Sequence, residues 1–124
     1  MQKYFTPDAP AAIGPYSQAI VANGFVFTSG QIAINPQTNA VQATTIEEQT
    51  KQVCENLKAI LEHCGSSLDK VVKTTCFLAD MNDFAAFNGI YGTYFTEKPA
   101  RSCVAVKTLP KNVLVEVEVI AVKE

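Results

Sequence analysis

The chain of 124 residues has no tryptophan, a single histidine (His63) and a single arginine (Arg101), every other cation being a lysine. With 10 basic against 12 acidic side chains the formal charge is −2 and the signs are interspersed, so the footprint expected for nucleic acid or an acidic membrane surface is absent. No apolar run approaches membrane-spanning length and the N-terminus lacks a charged segment followed by an apolar one, which points to a cytoplasmic protein with no membrane partner. Cys54, Cys64, Cys76 and Cys103 include no C-x-x-C pair, so they read as small buried hydrophobes and suggest neither a metal nor a redox motif. His63, next to Cys64, finds no further ligands at matching spacing. It reads instead as the cationic end of a helix.

The apolar content is 48%, enough for the core of one domain spanning residues 1–124. Residues 1–17 hold three prolines and read as an extended loop after a short edge strand at Lys3–Phe5. Asn23-Gly24 splits two β-rich runs, Gln18–Ala22 and Phe25–Thr28, as a hairpin turn would. Asn35 to Asn39 read as a surface turn. Thr44 and Thr45 each stand three residues before a glutamate, the pattern of a capping box, and open a helix that Gly65 closes. Its apolar face carries Ile46, Val53, Leu57, Ile60, Leu61 and Cys64.

A strand follows over Val71–Ala79, with Val72, Thr74, Cys76 and Leu78 expected on one face. Asp80 or Asn82 then caps a second helix whose Phe84, Phe87, Tyr91 and Tyr94 form an aromatic core stripe. Gly89 and Gly92 weaken that helix and predict a close neighbour. Pro99 should push Lys98 into extended backbone and start the strand Arg101–Lys107, followed by a turn at Leu109–Asn112 and a last strand over Leu114–Val122. The order implies an α+β two-layer sandwich, a mixed sheet with two helices on one face. Apolar residues on both faces of several strands imply that the open sheet face closes against another subunit.

Two features carry possible chemistry. Arg101 shares a strand face with Cys103 and Ala105, a small-residue floor beside a guanidinium fork able to hold a carboxylate bidentately. The alternative is an arginine that covers a sheet edge or pairs with a glutamate of its own chain. Glu116 and Glu118 share one face of the last strand and would join Arg101, read as lying in the neighbouring strand, in a polar pocket where a carboxylate orients water. No Ser-His-Asp or Cys-His set can be assembled, and Cys103 lacks an activating base.

Ala11 to Gln18, Thr28-Ser29-Gly30-Gln31, Val72 to Thr75, Ala79 to Phe84, Pro99 to Val104, Leu109-Pro110 and Val115 to Glu118 resemble, in order, the motifs of the reactive intermediate deaminases, the Rid family, and most closely its RidA branch. The resemblance implies a chorismate-mutase-like fold, a homotrimer with intersubunit sites, and cofactor-free hydrolysis of 2-imino acids to 2-keto acids and ammonia. It implies that Arg101 clamps the substrate carboxylate and Glu116 positions or activates water. Cys103 would contribute its backbone, with Tyr16, Ser29, Gly30 and Asn88 lining the cleft. No metal is implied. The segment Thr96 to Pro99 is shorter than in some members, which trims a rim loop. Other readings are a ribonuclease or translation inhibitor, and a non-catalytic ligand-binding or chaperone-like trimer.

Overall fold

The computed structural model describes residues 1–124. A six-stranded mixed sheet carries two helices on one face, the α+β sandwich expected from the element order. In chain order the strands are β1 (Gln2–Tyr4), β2 (Ala19–Ala22), β3 (Phe25–Thr28), β4 (Ile34–Asn35) and β5 (Ala40–Val41), then helix α1 (Ile46–His63), β6 (Val71–Leu78), α2 (Phe84–Tyr94), β7 (Ala100–Ala105) and β8 (Val115–Val122). Sheet order is β1-β2-β3-β8-β6-β7, with β4 and β5 a separate hairpin. Only β6 and β7 are parallel, since α2 carries the chain back between them.

At the start of α1 Thr45 is the N-cap: its hydroxyl accepts from Glu48 N–H at 3.2 Å and donates to the Glu48 carboxylate at 3.0 Å, so the carboxylate meets the threonine side chain in place of the backbone N–H that a full capping box would use. All six residues expected on its apolar face are buried, with Leu57, Ile60 and Leu61 pressed on the sheet. Burial of each stabilises by about 2 kcal/mol. Gly65 ends the element at φ +81°, and His63, its last residue, meets the Tyr4 ring edge-on at 5.9 Å.

Four local expectations change. Asp80 accepts from Asn82 N–H at 2.9 Å and so caps the short turn Met81–Asp83, while α2 itself starts after Asp83 with no side-chain cap. Val72 is exposed although Thr74, Cys76 and Leu78 are buried, because the β6/β8 register shifts between Val71 and Lys73 and the bulge turns Val71 inward instead. Lys98 is not extended but left-handed at φ +54°, its N–H donating to Phe95 O at 3.3 Å in the turn that follows α2. That conformation costs a lysine about 1–2 kcal/mol. A methyl group placed on Gly89 or Gly92 would meet nothing within 4 Å, so the close packing expected there does not occur within the chain.

A further difference fixes the geometry of the site. The sequence reading puts Arg101 beside the last strand, but β6 lies between β7 and β8, so β7 is the sheet edge. The sheet face away from the helices leaves Phe25, Phe27, Val72, Val104 and Val122 between 36% and 48% exposed, more contiguous apolar surface than a solvated face calls for.

Candidate active site

Strand alternation puts Arg101 and Cys103 on the helix-facing side of β7, where they align with Thr74 and Cys76 of β6. The Arg101 guanidinium donates from Nη1 to Asn88 Oδ1 at 2.7 Å and lies 4.9 Å from the Tyr91 ring centroid and 5.3 Å from that of Phe84. These three partners come from one stripe of α2, at helical spacing. No carboxylate pairs with it, the chain's one ion pair being Lys70–Glu124 at 2.6 Å. An arginine paired with a glutamate of its own chain is thereby set aside. Asn88, Tyr91, Gly92 and Arg101 line a shallow cleft of about 310 Å³.

Glu116 lies on the opposite face of the sheet. It aligns with half-buried Phe77, whereas its neighbours Val115 and Val117 point into the core. Beyond Thr28 the chain leaves regular pairing, then rejoins β8 where Gln31 and Val117 exchange backbone hydrogen bonds at 2.8 and 3.1 Å. The bulge between brings Gly30 against the Glu116 carboxylate so closely that a Cβ there would collide with it. Ser29 is fixed by two bonds, its hydroxyl donating to Ser17 O at 2.6 Å and its N–H to Gln18 O at 2.9 Å. Tyr16, Ser29, Gly30, Glu116 and Glu118 share a cleft of about 760 Å³ with the N-terminal loop.

The seven residues proposed from sequence thus fall into two groups: Tyr16, Ser29, Gly30 and Glu116 in one cleft, and Asn88 and Arg101 in the other with Cys103 on the same strand face. Within one chain the arginine and the glutamate do not share a cleft.

Residues 6–123 match the model of the family described as endoribonuclease L-PSP. A Salmonella typhimurium protein named 2-iminobutanoate/2-iminopropanoate deaminase is 50% identical over 122 residues, covering 95% of this chain and 94% of that one. The structure of YyfA from Yersinia pestis, of the conserved Rid protein family, superposes with a TM-score of 0.95 at 50% identity, covering 98% of each chain. The chain belongs to the Rid family. Escherichia coli TdcF, whose structure holds bound serine, aligns over 100% of both chains with a TM-score of 0.95 at 42% identity.

In this Rid protein, burial holds the Glu116 carboxyl above the ordinary carboxylate range, and the nearby charge of Glu118 raises it further. Such a carboxylate is a better proton acceptor than a solvated one. Burial also raises the Cys103 thiol, Arg101 opposing the rise only in part, so a resident thiolate nucleophile is disfavoured. Beneath it, Cys76 is pushed up to about 12, chiefly by burial.

Sequence reading missed the anchor of the Tyr16 loop. Buried Gln18 accepts from Thr6 N–H at 2.6 Å and donates to Thr6 O at 3.0 Å and Pro10 O at 2.8 Å, closing the loop over the sheet. A glutamine at the start of an apolar strand, after a proline-rich segment that needs backbone partners, is the available signal. Phe84 and Tyr91 read from sequence only as core, although their spacing with Asn88 marks a common face.

Proposed function

We propose that this protein hydrolyses 2-imino acids to 2-keto acids and ammonia in the cytoplasm, without a cofactor, at sites completed between the subunits of a homotrimer. The observation that carries the reading is the unneutralised Arg101. Its charge is held by a neutral amide and two ring faces, so N–H groups of the fork remain for a substrate carboxylate. The deaminase name of the Salmonella relative and the amino acid bound in TdcF support a small carboxylate-bearing ligand.

An imine acid is already electrophilic, so the reaction needs an oriented water and proton handling. Glu116 accepts a proton from water as its oxygen bonds to the imine carbon and the C=N π pair moves to nitrogen. With the imine protonated at the outset, the same carboxyl returns its proton to the amine nitrogen; the C–N bond then breaks as an oxygen lone pair forms the carbonyl, the hydroxyl proton passes to the Glu116 carboxylate and on to solvent, and ammonia leaves. Arg101 has to reach this centre from a neighbouring subunit, and the exposed apolar sheet face supplies the surface on which subunits can associate.

The test is a coupled assay in which threonine dehydratase generates 2-iminobutanoate in the presence of an amine trap. The protein should divert imine from the trap in proportion to its concentration. Hydrolysis no faster than the spontaneous rate would contradict the proposal. The family's description makes RNA cleavage the alternative, against which stand the charge of −2 and the single arginine. Cleavage of RNA without imine turnover would favour it.

A further inference from the structure

The aromatic stripe of α2 does more than fill the core, and we infer that Tyr91 is the positioning residue that fixes the direction of the Arg101 fork, by linking its ring face to the strand beside the arginine. The inference rests on the reading of Arg101 as the carboxylate clamp. Three observations lead to it. The Tyr91 ring lies 4.9 Å from the guanidinium carbon, within cation–π range. That ring is itself immobilised, stacked on Phe95 at 4.5 Å and tilted against Phe87 at 5.3 Å. Its hydroxyl forms a buried hydrogen bond of 2.7 Å with Thr74 Oγ1.

Thr74 is the register partner of Arg101 across β6 and β7. The hydroxyl therefore ties α2 to the sheet directly beside the arginine's own backbone, and the ring platform cannot shift independently of the strand that carries the fork. Asn88 orients one nitrogen from the same helix. A tyrosine meets both needs, a ring face and a polar tip; phenylalanine supplies only the first, and leucine neither.

Packing alone would make Tyr91 a stability residue; positioning makes it an affinity residue too, and the two are separable by experiment. Calorimetry with 2-oxobutanoate and steady-state kinetics on 2-iminobutanoate are to be run on Tyr91→Leu, Tyr91→Phe, Thr74→Val and the double variant Tyr91→Phe/Thr74→Val, with thermal unfolding as the check on folding. Tyr91→Leu should raise Kd and KM roughly tenfold with kcat much less affected, as loss of a desolvated cation–π contact implies. Tyr91→Phe should recover most of that loss, remaining about two- to threefold weaker than wild type. Thr74→Val should match it, and the double variant should be no worse than either, because all three remove the same hydrogen bond.

A folded Tyr91→Leu that binds 2-oxobutanoate as wild type does would overturn the inference, leaving Tyr91 as packing only. If Tyr91→Leu does not fold, wild-type affinity in both Tyr91→Phe and Thr74→Val would overturn it equally. Arg101→Lys, measured alongside, isolates the underlying reading. Unchanged affinity there would reject the carboxylate clamp whatever the Tyr91 variants show.

Discussion

The two halves of the candidate site are built by different means. Around Arg101 the work is done by side chains: an amide and two rings, one of them tied to Thr74 by its buried hydroxyl, hold a cation at a sheet edge. Around Glu116 it is done by the backbone, where a bulge and a glycine make room for a carboxylate that burial then perturbs. A charge held by side chains tolerates little change of shape in the charged group itself. A carboxylate seated against backbone tolerates little change in the residue beneath it. The contrast yields a ranked set of substitutions.

The largest effect is expected from Arg101→Lys. Lysine keeps the charge but loses the fork and the flat face set against Phe84 and Tyr91, so 2-oxobutanoate affinity should fall about a hundredfold, as measured by calorimetry. Next comes Gly30→Ala, whose methyl group would displace the Glu116 carboxylate. It should reduce kcat by roughly ten- to a hundredfold with the clamp intact, a loss of about 1.4–2.7 kcal/mol of transition-state stabilisation. An alanine variant of normal activity would mean that the contact does not seat the glutamate.

Glu116→Gln should lower kcat by a comparable factor while leaving 2-oxobutanoate affinity within about twofold, since a transition-state interaction is removed and a ground-state one spared. Its pH behaviour sharpens the same point. The folded carboxyl is raised, so the native state holds its proton more tightly than the unfolded chain, and the stability contributed is full at low pH and lost as pH rises through the interval up to the raised value. Glu116→Gln should remove that slope from thermal unfolding measured across the interval. In wild type the acid limb of the kcat profile should lie above the ordinary carboxylate pKa, and Glu118→Gln should move it down by removing the like charge. The smallest effect is expected from Cys103→Ser, which should retain most activity because the thiol is held protonated. Loss of turnover in a folded serine variant would bring back a nucleophilic thiol.

The sequence made the elements readable where local chemistry decides them. The Thr45 cap of α1, the Asn23-Gly24 hairpin and the apolar face of α1 all form as their residues dictate. It could not reveal the bulge that turns Val72 outward or the left-handed Lys98, because both are imposed by nonlocal register and by the chain's return from α2. The candidate residues could be named from their motifs, but not the lateral separation of Arg101 from Glu116 across the sheet. That separation depends on β6 taking the place between β7 and β8, a choice of strand order that no spacing along the chain encodes, whereas alternation alone sets Glu116 on the face opposite Val115 and Val117.

The central claim is that catalysis requires the Arg101 half of one subunit and the Glu116 half of another, and subunit mixing tests it most directly. Arg101→Lys and Glu116→Gln proteins, each with about a tenth of wild-type activity or less at limiting substrate, are to be unfolded together, refolded at equal amounts, checked for mixed assemblies by native mass spectrometry, and assayed on 2-iminobutanoate. Random mixing gives about a quarter of the shared sites an intact arginine facing an intact glutamate, so activity should return to about a quarter of wild type. Mixed assemblies with no more activity than the separate variants would contradict the shared site and place both residues' work within a single chain.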